Sequence, residues 1–224
     1  KTSARKFINK SAHDHQPPRR HNHRIKKAPH DKCPACMHIT ETAWHILSCP
    51  SRSLWRAEML RTLGESLITN HTQPDIALIL LQGIRGALSN HRFQMNPNNR
   101  EPLFRALVNS QNKIGWHQLL KGRFSKQWTQ IQDQHLLADI DIDNAKQSGD
   151  RWLKLTLHHI WTHLWKVWLN RNDDLHGREN DEKERKRIEQ LRFRVLALYS
   201  KRDLLLACDK PIFDMPIDER MKLK

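Results

Sequence analysis

The chain has 224 residues, with 39 Lys and Arg against 24 Asp and Glu, a formal net charge of +15 before any of its 15 histidines is protonated. Its hydrophobic share of 38% lies below the roughly 45–50% of ordinary globular domains, so one substantial core, or a core plus a small metal module, fits the length, with long polar arms left over. No run approaches the roughly 18 uninterrupted apolar residues of a membrane span, and the first residues lack the apolar centre of a signal peptide, which points to an intracellular protein, nuclear or cytoplasmic, with a polyanion as its natural partner.

Residues 1–32 form a basic, His-rich arm that holds ten Lys and Arg against Asp14 and Asp31, about half of the net charge. The arm is expected to be disordered and to meet nucleic-acid phosphates, with Arg19, Arg20, Arg24, Lys26, Lys27 and Lys32 as the candidate contacts to RNA or DNA. A solubilising tail is the alternative. No amphipathic apolar face accompanies the run, which counts against lipid. The chain begins at Lys1 rather than at a methionine and reads as a piece of something longer.

Residues 33–50 carry the strongest motif: Cys33-Pro34-Ala35-Cys36, His45 and Cys49 in the pattern C-x2-C-x8-H-x3-C. Two cysteines separated by two residues let one tight turn present both sulfurs to a single tetrahedral ion, and Pro34 stiffens that turn. His45 and Cys49 stand four apart, one turn apart on the same face of a helix. Thr40 is the expected cap of that helix, Glu41 suits its first turn, and Pro50 stops it beyond Cys49. A disulfide with a spare thiol fits poorly, because three cysteines with an interposed histidine make a weak framework outside the secretory pathway. His38 rivals His45 as a ligand but sits too near Cys36 for easy geometry. The expectation is a CCHC zinc knuckle with Cys33, Cys36, His45 and Cys49 as ligands. Four protein ligands fill a tetrahedron, so the Zn2+ is structural and not hydrolytic.

Residues 51–138 read as helices joined by polar loops. Ser51 or Ser53 caps a helix carrying Leu54, Trp55, Met59, Leu63 and Leu67, and a second follows Pro74 with Ile76, Ile79, Leu80 and Ile84, ending near Gly86. Residues 90–100 are a loop. Pro102 opens a helix with Phe104, Leu107 and Ile114, and Trp128 and Ile131 continue the apolar spacing towards Leu136. Residues 139–150, with Asp139, Asp141, Asp143 and Asp150, read as an acidic linker; their alternation of Asp with Ile matches no metal loop, which sets a nuclease site aside.

Residues 151–207 combine a Trp-rich helix, with Trp152, Trp161, Trp165 and Trp168, and a basic helix over about 181–207. The tryptophan spacing matches a buried helix face; stacking on unpaired bases is the second reading. Gly177 is the C-cap of the Trp-rich helix. On the basic helix Ile188, Leu191, Val195, Leu198 and Leu205 share one face, and its Glu residues leave a salt-bridged surface and a phosphate contact equally open. Residues 208–224 are a polar tail in which Cys208 is an ordinary free thiol. No run of alternating β-branched residues argues for a sheet. The expected fold class is all-α, a small CCHC zinc knuckle followed by a multi-helix body.

The order of these features resembles the zinc-binding region downstream of the polymerase domain in reverse transcriptases of non-LTR retrotransposons. The residues that carry the likeness are the basic segment, Cys33-Pro34-Ala35-Cys36, Glu41-Thr42, His45, Cys49-Pro50 and Trp55. Trp168-Leu169-Asn170-Arg171-Asn172 and Leu175-His176-Gly177 look like the Trp and Arg-Asn motif that follows the knuckle there; Gly115-Trp116 with Gly122-Arg123 and Trp128 is similar more loosely. The resemblance implies the C-terminal part of a retroelement polyprotein, whose knuckle helps to grip template RNA or target DNA and whose upstream polymerase domain is a further partner. The polymerase's Tyr-x-Asp-Asp motif is missing: Tyr199 is followed by Ser200-Lys201-Arg202, so the chain is expected not to be an enzyme by itself. Lys210-Pro211-Ile212 breaks the Lys-Pro-Asp motif of the nuclease that some relatives carry. The leading expectation is therefore a zinc-stabilised nucleic-acid-binding region, and the alternative is a zinc-stabilised helical scaffold that docks a partner protein through its Trp-rich stripe.

Overall fold

The computed structural model describes residues 2–13, 16–98, 100–138, 148–204 and 206–221. Among them the regular structure is helical: α1 (Thr2–Ala12), α2 (Arg19–Arg24), α3 (Ala43–Ser48), α4 (Ser53–Thr69), α5 (Pro74–Ser89), α6 (Pro102–Ile114), α7 (Trp116–Leu119), α8 (Gln127–Ala138), α9 (Gly149–His176), α10 (Asn180–Tyr199) and α11 (Ile217–Arg220). Lys32 and Thr40 make an isolated antiparallel bridge, and no strand forms among the described residues. No helix among them is long and apolar enough to cross a membrane. The all-α expectation holds. Most of the expected acidic linker, residues 139–147, lies outside the described residues.

The chain divides into two units, Lys1–Gln16 with Leu47–Trp168 and Pro17–Ile46 with Leu169–Lys224. The first unit owns the main apolar core. Met59, Leu63 and Leu67 of α4 are buried, as are Ile76, Ile79, Leu80 and Ile84 of α5, at the three- and four-residue steps of an inward helical stripe. Pro74 and Pro102 occupy first-turn positions, where a missing N–H costs nothing, and open α5 and α6 as the sequence predicts. The Gln73 side chain accepts a hydrogen bond from Ile76 N at 2.8 Å and caps α5, which runs to Ser89 rather than stopping near Gly86.

Tryptophans knit this core. Trp128 stacks on Trp152 with ring centroids 6.4 Å apart and meets Trp116 edge-on at 6.2 Å. Their indole N–H groups are satisfied inside the fold: Trp128 donates to Gln111 Oε1, Trp152 to Thr72 Oγ1, Trp161 to Leu120 O and Trp55 to His163 O. Of the four tryptophans on α9, Trp152 is buried and Trp161, Trp165 and Trp168 are half-buried, so the spacing marks a face that is core in part.

The expectation of a disordered arm is wrong for the residues described. Thr2–Ala12 is the helix α1, anchored by Phe7, which is 7% exposed and lies 5.2 Å from the Trp165 ring and 5.7 Å from that of Trp168. Gln16 adds a hydrogen bond from Nε2 to Phe7 O. A lone aromatic in a basic run shows no periodicity, so its partner on α9 could not be read from spacing.

In the second unit the basic helix α10 stops at Tyr199, short of the expected 207. The Tyr199 ring meets Phe213 edge-on at 5.0 Å and its hydroxyl donates to Met215 O at 2.7 Å, which favours a turn back over continuation. Gly177 ends α9 with φ of 90°, a conformation that suits glycine, and its N–H reaches Asp173 O at 2.8 Å.

Candidate metal centre

The segment that precedes α3 closes on itself. Cys33 N donates to Ile39 O and Met37 N to Cys33 O, both at 2.8 Å, so the turn after Cys33-Pro34-Ala35-Cys36 is held by backbone. Met37 adopts a φ of 59° within it. Beyond the Lys32–Thr40 bridge the Thr40 hydroxyl donates to Asp31 Oδ2 at 2.9 Å, a bond that holds the Asp31 carboxyl below its usual range. Thr40 therefore does not cap the helix. Thr42 does, its Oγ1 accepting from His45 N at 3.0 Å, because the cap needs to stand two or three residues ahead of the amide it satisfies.

These local bonds bring Cys33, Cys36, His45 and Cys49 together, with one ligand atom from each lying within 4.8 Å of the others. Cys36 Sγ and His45 Nε2 are 3.5 Å apart, against about 3.6 Å for the edge between sulfur and nitrogen ligands of one tetrahedral zinc. Cys33 and Cys49 are wholly buried and His45 is 7% exposed. The four side chains could hold a metal ion. His38 is exposed and is not among the four residues of the cluster. At the end of α3 the Arg56 guanidinium donates to Cys49 O at 2.6 Å and Leu47 O at 3.3 Å. Burial lowers its pKa while the Cys49 sulfur raises it, so a cation lies close to a cysteine that would have to be a thiolate to bind a metal.

A second buried feature adjoins the segment. Glu41 does not lie in the first turn of α3; its side chain is 0% exposed and receives a fork from Arg171, with Nη2 to Oε2 at 2.6 Å and Nε to Oε1 at 3.1 Å. Oε2 also accepts the backbone N–H of Arg19 at 2.7 Å, so one carboxylate satisfies both a guanidinium and the positive end of α2. Arg171 Nη2 reaches Pro17 O at 3.5 Å as well. Sequence reasoning names both residues but does not pair them, because 130 positions separate them.

The six candidate nucleic-acid contacts fall into two groups. Arg20, Arg24, Lys26, Lys27 and Lys32 are exposed. Arg19 is half-buried, its Nε donating to His30 O at 3.1 Å and its Nη2 lying 3.2 Å from His30 Nε2, so its cation serves the fold at least as much as any ligand. Burial is the main influence on it and lowers its pKa, with Glu41 opposing. Exposed Ile25, Met37 and Ile39 lie in the same stretch of chain. Comparison with protein-family models, curated proteins and solved structures finds no match. The chain's chemistry rests on its own residues.

Elsewhere, His159 and His163 of α9 both set Nε2 3.1 Å from Thr62 Oγ1. Burial is the largest cause lowering the pKa of both. Two imidazoles and a hydroxyl already bonded to the α4 backbone at Glu58 O make a hydrogen-bonded helix contact.

Proposed function

We propose that this chain is a zinc-stabilised module that binds RNA or DNA, has no catalysis of its own, and forms the C-terminal region of a retroelement reverse transcriptase. The observation that carries the reading is a Cys3His donor set directly after five exposed cations on one short segment. Cys and His in this spacing favour zinc over the harder cations, and a full set of four protein donors leaves no position for a reactive water. The metal's role is then to hold the turn and α3 in register. The basic segment is fastened by Glu41, through Arg19 N at its start and Asp31 O, which accepts from Glu41 N at 2.8 Å, near its end. A cationic segment held this way keeps its charges in a fixed pattern, which lowers the ordering cost of meeting a phosphate backbone. Met37 and Ile39 add apolar surface of the kind that contacts base edges. The resemblance to the knuckle region of non-LTR reverse transcriptases supports the placing, and an upstream polymerase domain is the further partner it implies.

The test is fluorescence anisotropy of the metal-loaded chain with labelled single-stranded RNA and duplex DNA over a salt series. Five phosphate contacts give a log–log salt slope of about −4.5 on duplex DNA and about −3.5 on single strands. Replacing Arg20, Arg24, Lys26, Lys27 and Lys32 together by Gln should flatten the slope and weaken binding on every sequence alike. Absence of binding at low salt, or binding unchanged in that variant with its metal content intact, would end the proposal.

A further inference from the structure

The helix α10 (Asn180–Tyr199) carries apolar side chains on two opposite faces. One face is turned into its own unit: Phe193 and Ala197 are half-buried there, and the Lys186 ammonium donates to Asp174 O at 3.0 Å. On the other, Ile188, Leu191, Val195 and Leu198 recur at steps of three, four and three, which a period of 3.6 residues gathers into one stripe. Ile188, Leu191 and Leu198 are 41%, 44% and 49% exposed, Val195 between them is half-buried, and no residue of α10 is buried. Isolated surface leucines are ordinary; a four-residue stripe at the spacing of a helix-pairing seam is not.

The borders of the stripe are basic on both sides. Arg187 and Arg194 follow one edge, Arg185 and Arg192 the other, and all four are exposed. Glu184, at the N-terminal end, pairs with Arg187 at 3.1 Å, an exposed contact that a better-placed partner carboxylate can replace. The charge pattern selects among occupants. Two copies of α10, run parallel or antiparallel, set arginine edges against arginine edges. Nucleic acid satisfies the arginines but leaves the leucines in water. The apolar stripe spans residues 188–198, about 15 Å of helix, which matches a short helix laid along it.

We propose that this stripe is the docking surface for an acidic amphipathic helix of a partner protein, whose apolar side chains cover Ile188, Leu191, Val195 and Leu198 while its flanking carboxylates meet the arginines on both edges. None of these residues belongs to the metal centre or its basic segment, so this surface and the nucleic-acid reading are tested separately. The contact replaces the Trp-rich stripe of α9, whose Trp152 and Trp161 have their indole N–H groups bonded within the first unit, as the protein-docking element.

The test uses the full, metal-loaded chain and a labelled designed helical peptide with a leucine seam flanked by glutamates, with the same seam flanked by lysines as control, read by fluorescence anisotropy. The glutamate peptide should bind and the lysine peptide should not. Leu191→Glu with Leu198→Glu should weaken binding at least about tenfold with metal content and helical signal unchanged, since both side chains are already exposed. Arg187→Gln, Arg192→Gln and Arg194→Gln together should reduce both affinity and its salt dependence. The proposal is overturned by failure of the glutamate peptide to bind, by equal binding of the lysine peptide, or by indifference to the leucine replacements. It is equally overturned if those leucine replacements instead abolish a concentration-dependent dimer in sedimentation, attachment to phosphatidylserine vesicles, or binding to RNA.

Discussion

Glu41 and Arg171 lie 130 positions apart and form an ion pair whose side chains are 0% and 3% exposed. Desolvating two charges is costly, and the pair repays that only because its geometry is forked and the carboxylate takes a further backbone N–H. Removing one partner strands the other. Glu41→Gln should therefore destabilise the chain by about 3–5 kcal/mol, read by urea unfolding, and Arg171→Lys should also destabilise, because an ammonium cannot reproduce the two-point contact. A loss below about 1 kcal/mol for Glu41→Gln would show that the pair does not hold this unit together. Nothing in the local sequence announces the pair, since a glutamate ahead of a short helix is adequately explained by that helix. The clustered cysteines and histidine differ in this respect. Their spacing in the chain announces that Cys33, Cys36, His45 and Cys49 cluster, although α3 ends at Ser48 and Cys49 joins the cluster from just beyond it rather than from the helix face.

Elements show the same division. The boundaries of α5 and α6 follow from Pro74 and Pro102, and their buried faces from apolar periodicity, because both are set by backbone chemistry within one turn. The contact between α5 and α7 is not local. Gly83 of α5 faces Trp116, which is 1% exposed, and a Cβ at that position would land inside the indole ring. The ring is pinned by its own N–H to Asn112 Oδ1 at 2.6 Å, so it has little room to retreat. Gly83→Ala should cost about 1–3 kcal/mol by overpacking, despite the better helix propensity of alanine, and a thermal melt with an unchanged or higher midpoint would refute the close approach. A glycine within an apolar helix reads from sequence only as a weak spot. The helix α1 is hidden from sequence reading for a related reason: its single anchor, Phe7, gains meaning from Trp165 and Trp168, and those lie far along the chain.

For the molecule as a whole, the Cys3His cluster and the apolar core draw on different residues. The core of α4 to α8 and the start of α9 is made of side chains such as Met59, Leu80, Trp116 and Trp128, none of them a metal ligand. Chelation should therefore release one zinc per chain and open the Cys33 and Cys36 thiols to labelling while most helical signal persists. The metal content by mass spectrometry should fall to background in a Cys33→Ser, Cys36→Ser variant, and retention of zinc by that variant would remove the metal centre. The all-α class, the clustering of three cysteines with a histidine and the basic stretch are all written in the order of residues, because helical periodicity, Cys and His spacing and net charge are properties of neighbours along the chain. Folding in three dimensions adds that α1 is anchored by Phe7, that Arg19 turns inward, that Glu41 meets Arg171, and that α10 leaves an arginine-edged stripe largely exposed. Each of these depends on which distant side chains share a volume, and burial, unlike spacing, is not encoded in any local run of residues.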